Sequence, residues 1–97
     1  MNHYKLTVKA DEDLVNIFHY SLRQFGLNRA ETYLTSLEEH FLTLAHSPEL
    51  GRKIDHIRQG YFRYEHLSHI IFYKNIPGGV LIVRVLHQSV DVPKHIP

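Results

Sequence analysis

The sequence predicts an α+β fold in the order β-α-α-β-β-β, a helical hairpin packed on one face of an antiparallel sheet. Three observations carry this. An alternating segment at residues 3–9 gives way at Ala10 to two successive stretches of helical periodicity. Three runs rich in β-branched and aromatic residues follow, Tyr61–Glu65, Ser68–Lys74 and Val80–His87. The links between those runs are short, as in an antiparallel meander.

Residues 3–9 place Tyr4, Leu6 and Val8 on one side, the period of a half-buried strand. From Ala10 onward Leu14, Ile17/Phe18, Ser21/Leu22 and Phe25 recur at three- and four-residue steps, which makes an amphipathic helix. Asp11, Glu12 and Asp13 suit the positive end of its dipole, and Gly26 can end it in a left-handed conformation. Asn28-Arg29-Ala30-Glu31 reads as a capping box for a second helix. Ala30, Tyr33/Leu34, Leu37, Phe41 and Leu44/Ala45 form its apolar stripe, and Ser47-Pro48 stops it. A link of about three residues makes the two helices an antiparallel hairpin.

Residues 48–60 mix Pro, Gly and charge and read as an ordered loop, with Leu50, Ile54 and Ile57 as pegs into the core. His66-Leu67 and Ile76-Pro77-Gly78-Gly79 fit the two turns of the meander. Pro93 and Pro97 lack the ladder donor, so the tail from Asp91 is expected to leave the sheet.

A chain of 97 residues, 43% hydrophobic and 22% charged, is expected to form one soluble domain, residues 1–97. Cysteine is absent, which excludes disulfides and thiolate metal sites. No apolar run approaches the roughly 20 residues of a membrane span, and the N-terminus has no signal-like segment, so a cytoplasmic location is expected. Residues 1–48 carry four Lys/Arg against six Asp/Glu, a balance of −2, whereas residues 49–97 carry seven against four, a balance of +3. That excess is too small to imply direct sequence-specific nucleic-acid binding, but it marks the second half as the side to meet an acidic partner.

The stretch IVRVLHQSVD, residues 82–91, concentrates the candidate chemistry. Simple alternation puts Arg84 on the face of Val80, Ile82 and Leu86, where an unpaired guanidinium would cost several kcal/mol. An ion pair or a snorkelled side chain is therefore expected, with Asp91 and Glu65 the nearest carboxylates in sequence terms. Arg52, Arg58 and Arg63 add forks that bind carboxylate or phosphate oxygens. His87 reads first as a capping or core histidine, and would serve as a proton carrier only if arginines and a second titratable group converged on it. His66 and His69 lack a third ligand, so no metal site is expected. Without a Gly-rich phosphate loop, nucleophile elbow or HExxH motif, no cofactor is expected either.

Five words in the chain resemble the ParE branch of the ParE/RelE toxin–antitoxin superfamily. They are KADEDLVNI in the first helix, AETYL in the second, SPELGRKIDHIRQGYFRY after it, and SHIIFYK and VRVLHQSVDVPKHI on the last two strands. The likeness runs from Tyr4 to Ile96. It implies the RelE/ParE-like fold and a non-catalytic toxin of a type II toxin–antitoxin module that inhibits DNA gyrase by trapping it on cleaved DNA. It also implies neutralisation, in a hetero-oligomer, by a ParD-like antitoxin whose C-terminal part folds on binding. Arg58, Arg63, Arg84, His87 and Asp91 are the expected target-binding positions. Leu14, Phe18, Leu22 and Tyr33 are the expected antitoxin contacts, bordering a groove between the hairpin and the sheet edge. The alternative implied by the RelE branch is a ribosome-dependent mRNA endoribonuclease, with Arg63 and Arg84 on the phosphate and His87 moving protons.

Overall fold

The computed structural model describes residues 2–96. Strand β1 (His3–Leu6) leads into helix α1 (Val8–Phe25) and helix α2 (Leu27–His46). A 3₁₀ turn at Pro48–Leu50 and a two-residue strand β2 (Arg52–Lys53) follow. Strands β3 (Tyr61–His66), β4 (His69–Ile76) and β5 (Gly79–His87) form the meander, and a short helix α3 (Val92–His95) closes the chain.

The first strand ends earlier than its alternation suggests, because Thr7 caps α1. Its hydroxyl accepts from the Ala10 amide at 3.0 Å and donates to the Val83 carbonyl at 2.7 Å, so one side chain starts the helix and fastens it to β5. The link between the helices is Gly26 alone, at φ 88°, with its N–H on the Leu22 carbonyl. The Asn28/Glu31 capping box does not form. Helix α2 already begins at Leu27, and no side chain caps it.

The sheet order is β1-β5-β4-β3-β2. The meander is antiparallel as expected, but β1 lies parallel to β5, from His3↔Gly79 to Leu6↔Ile82, so the sheet is mixed. Alternation in residues 3–6 reports burial and carries nothing about the direction of the neighbour. Gly79 permits the pairing: a Cβ there would collide with the His3 carbonyl.

Each face of the sheet carries a core. Ile71, Tyr73, Val80, Ile82 and Val85 pack under the hairpin against Leu14, Ile17, Leu37, Phe41 and Leu44. Ile70, Phe72 and Leu86 point the other way and pack with Ile54 and Ile96. The register slips where Tyr73 pairs Ile82 but Phe72 pairs Arg84, leaving Val83 as the extra residue of a bulge. The bulge transfers Arg84 to the face of Phe72 and Leu86. Simple alternation had grouped Arg84 with Val80 and Ile82, and one inserted residue reverses that assignment.

The loop after α2 is tied down by Tyr73, whose hydroxyl donates to the Pro48 carbonyl at 2.7 Å and accepts from the Gly51 amide at 2.9 Å. Ile54 is buried and Ile57 partly so, as expected, but Leu50 is 50% exposed and is not a peg. The tail leaves the strand ladder after His87, as expected, but it packs back over the second face of the sheet. Pro93 stands in the first turn of α3, where a missing N–H costs nothing, and Ile96 is buried on the second core. Pro97 lies outside the described residues. Among those described, no helix is long and apolar enough to cross a membrane.

Candidate functional site

An open groove of about 1040 Å³ lies where the Gly26 end of the hairpin overhangs the end of the sheet. Its walls include Ile17, Tyr20 and Phe25 of α1, Tyr33 of α2, Leu67 of the β3–β4 turn and Leu86 of β5. Tyr20, Phe25 and Leu67 are 56, 55 and 74% exposed, so apolar side chains stand along the rim in water. Leu67 does so at φ 54°, a left-handed conformation that costs a non-glycine residue about 1 kcal/mol or more.

The floor is a network of imidazoles and hydroxyls gathered from four elements, with His40 behind it. Residues 33, 36 and 40 fall on one face of α2 at helical spacing and lean over the sheet. Tyr33 donates its hydroxyl to Nδ1 of His69 at 2.5 Å. Ser36 donates to the Tyr33 carbonyl at 2.7 Å and accepts from Nε2 of His66 at 2.9 Å. His40 donates from Nδ1 to the Ser36 carbonyl at 2.7 Å, and its ring lies 4.2 Å from that of His66. The rings of His69 and His87, a cross-strand pair, meet edge-on at 5.6 Å. Burial pushes His69 down to about 4, with the His87 and His66 imidazoles adding to the effect and Asp13 opposing it. His66 is also held below the ordinary imidazole value, by burial and then by His40. Among the described residues, no group of three or more His, Asp or Glu side chains is placed to hold a metal ion.

Beside the groove, Arg84 meets a carboxylate that sequence proximity does not suggest. Asp13 accepts from its Nε at 2.8 Å and its Nη2 at 2.9 Å, and also from the Val85 amide at 3.0 Å. The pair is largely buried, at 14 and 12% side-chain exposure. Arg84 also donates from Nη1 to the His95 carbonyl at 3.1 Å, which fixes α3 to the sheet. β1 ends before this point, so Asp13 replaces the missing neighbour strand as a partner for the Val85 N–H. The Asp13 hydrogen bonds raise the Arg84 pKa, outweighing burial.

The expected target-binding residues fall in three places. Arg63 pairs with Arg52 and Phe72, and Phe72 pairs with Arg84, so these arginines share the face that carries the tail. Arg52 and Arg63 both reach Glu65, at 3.1 and 3.2 Å. Arg58 is exposed in the turn before β3, and Asp91 is exposed at the start of α3, 4.0 Å from Lys94. His87 lies on the opposite face, under the hairpin. Its Nδ1 accepts from both the amide and the hydroxyl of Ser89, at 3.1 and 2.7 Å, which caps its own turn. The nuclease constellation Arg63–Arg84–His87 is therefore split across the sheet and does not converge.

Of the expected antitoxin contacts, Tyr33 lines the groove. Leu14 sits in the core at 7% exposure, so it packs helix on sheet. Phe18 is half-buried and Leu22 exposed, on a part of α1 outside the groove lining. Sequence reasoning missed Ile17, Tyr20 and Phe25 as groove residues, Ser36 as a floor residue with His40 behind it, and Asp13 as the partner of Arg84. The 33–36–40 spacing on α2 was a visible signal. Its meeting with His66, His69 and His87 depends on a register that the sequence does not display.

The model of the family described as the ParE toxin of the type II toxin–antitoxin system, parDE, matches residues 4–92. The chain is 34% identical over 96 residues to Toxin ParE1 of Caulobacter vibrioides, covering 99% of each chain. It is 35% identical over 94 residues to Toxin ParE1 of Mycobacterium tuberculosis, covering 96% of each. The solved structure titled Chromosomal ParDE TA system from P. aeruginosa shares the fold, with a TM-score of 0.75 at 19% identity over 90% of this chain and 96% of that one. With its mixed sheet, overhanging hairpin and end-to-end sequence match, the chain belongs to the ParE toxins of type II toxin–antitoxin systems.

Proposed function

We propose that this chain arrests growth by inhibiting DNA gyrase, and that a ParD-like antitoxin neutralises it by laying a segment in the groove beneath the hairpin. The observation that supports the reading most is the family match across residues 4–92. The mechanism is trapping: preferential binding to the cleaved enzyme–DNA state shifts that population and stalls resealing. Contact with gyrase falls to Arg63 and Asp91 on the tail-bearing face, to Arg58 in the turn before β3 and to His87 at the end of β5 on the opposite face, with Arg84 holding the tail in place through His95.

The groove suits a segment that folds on binding, because exposed aromatic and aliphatic side chains line a concave surface that a monomer has no reason to keep wet. Such a complex is a hetero-oligomer located where gyrase is, in the cytoplasm. Induced expression tests the reading. Arrested colonies, relaxed or linearised plasmid, and rescue on co-expression of the antitoxin are expected. Normal growth with normally supercoiled plasmid refutes it.

A further inference from the structure

The network on the groove floor leaves two donors unspent. Nδ1 of His87 accepts from the Ser89 amide, so in the neutral ring its proton sits on Nε2. Nδ1 of His69 is engaged by the Tyr33 hydroxyl, which with Tyr33 as the donor leaves the His69 proton on Nε2 as well. Among the described residues neither Nε2 has a hydrogen-bond partner, and neither is fully buried without one. The two rings meet edge to face across β4 and β5, their centroids 5.6 Å apart. Arg29, on the same groove, stacks over Phe25 at 5.8 Å and makes no ion pair among the described residues. The carboxylate lining the groove, Asp13, is already committed to Arg84 and the Val85 amide. The groove therefore offers cationic and N–H donor groups with no anion of its own left to meet them.

We infer that the segment filling this groove carries an aspartate or glutamate side chain, which the Nε2–H groups of His69 and His87 clasp together while Arg29 supplies charge at the other end. This rests on the reading that an antitoxin segment occupies the groove, and adds which chemistry that segment must bring. Charge-assisted hydrogen bonds to a carboxylate are the stronger class, and the apolar walls keep water from competing for them.

The groups facing His69 are Tyr33 of α2, His66 of β3, His87 of β5 and Asp13 of α1, with His40 and Arg84 one contact further away. In the free chain, burial and then the neighbouring imidazoles hold His69 neutral. A carboxylate arriving on Nε2 favours the charged ring instead, so binding takes up protons and tightens as pH falls, by at most about tenfold per pH unit for each proton. A purely apolar occupant brings no such proton uptake, because His69 stays neutral beneath it.

Calorimetric titration of the full chain with a synthetic peptide covering the C-terminal half of its antitoxin, at pH 8.0 and pH 6.0, separates the cases. Tighter binding at pH 6.0, with proton uptake visible in buffers of different ionisation enthalpy, is expected. His87→Ala, at an exposed position, should flatten that slope, and Arg29→Gln should weaken binding by about two- to fivefold. Both effects should vanish when the peptide's acidic residues are replaced by their amides. Binding that is flat or weaker at pH 6.0, or unaffected by the amide replacements, overturns the clasp and leaves groove docking standing. No binding at either pH overturns both.

Discussion

Replacing Asp13 with alanine removes the partner of a largely buried guanidinium and of one strand-edge amide in a single step. Three hydrogen bonds are lost, from Arg84 Nε, Arg84 Nη2 and the Val85 amide, at 2.8, 2.9 and 3.0 Å. Stranding one member of a buried ion pair costs about 3–5 kcal/mol. Arg84 keeps 14% exposure and its bond to the His95 carbonyl, so some hydration and one partner survive. The expected loss is therefore at the lower end, about 3 kcal/mol. Urea unfolding followed by circular dichroism, at a slope of about 1–3 kcal/mol per molar, should show the midpoint fall by about 1–3 M. The double variant Asp13→Ala/Arg84→Met should be less destabilised than the sum of its parts, with a coupling of about 1–3 kcal/mol. A loss under about 1 kcal/mol, or strict additivity, refutes the view that this pair holds α1, β5 and the tail together.

Acidification should weaken the fold above the carboxylate range. His69 is held near 4 when folded and titrates near 6.5 when unfolded, so its contribution is fully present above pH 6.5 and is lost as pH falls toward 4. The difference of about 2.5 pH units sets a ceiling of about 3 kcal/mol, and because the ring is only half-buried the measurable loss is about 1–2 kcal/mol, which His69→Gln should abolish. A urea midpoint constant from pH 7 to pH 5 contradicts this. Tyr73→Phe leaves the Gly51 amide and the Pro48 carbonyl without their shared partner, and should cost about 1–3 kcal/mol in equilibrium unfolding. Gly79→Ala forces β1 off β5 at the His3 carbonyl, and hydrogen exchange at residues 3–6 should accelerate.

The helices and the meander were legible in the sequence because period and composition report burial directly. Leu37, Phe41 and Leu44 on one side and Ile70 to Tyr73 on the other fall where their patterns put them. Three features were not legible. The direction of β1 depends on a neighbour some 75 residues away, which alternation cannot encode. The bulge at Val83 inverts the face of Arg84, and no residue type there announces it. The groove is a product of register: His66, His69 and His87 look dispersed along the chain, and only strand pairing and the helix overhang make them one surface. Asp13 shows how a local reason can hide the real one. Because α1 starts at Val8, only Asp11 of the three acidic residues stands in its first turn, and Asp13 serves instead as the carboxylate that Arg84 needs.

The most direct measurement is a cleavage assay with purified chain, gyrase, ATP and relaxed plasmid, run with and without the antitoxin. Inhibition of gyrase by trapping predicts loss of supercoiling and accumulation of protein-linked linear DNA at micromolar chain, both reversed when antitoxin is added. Normal supercoiling with no linear product at that concentration contradicts it.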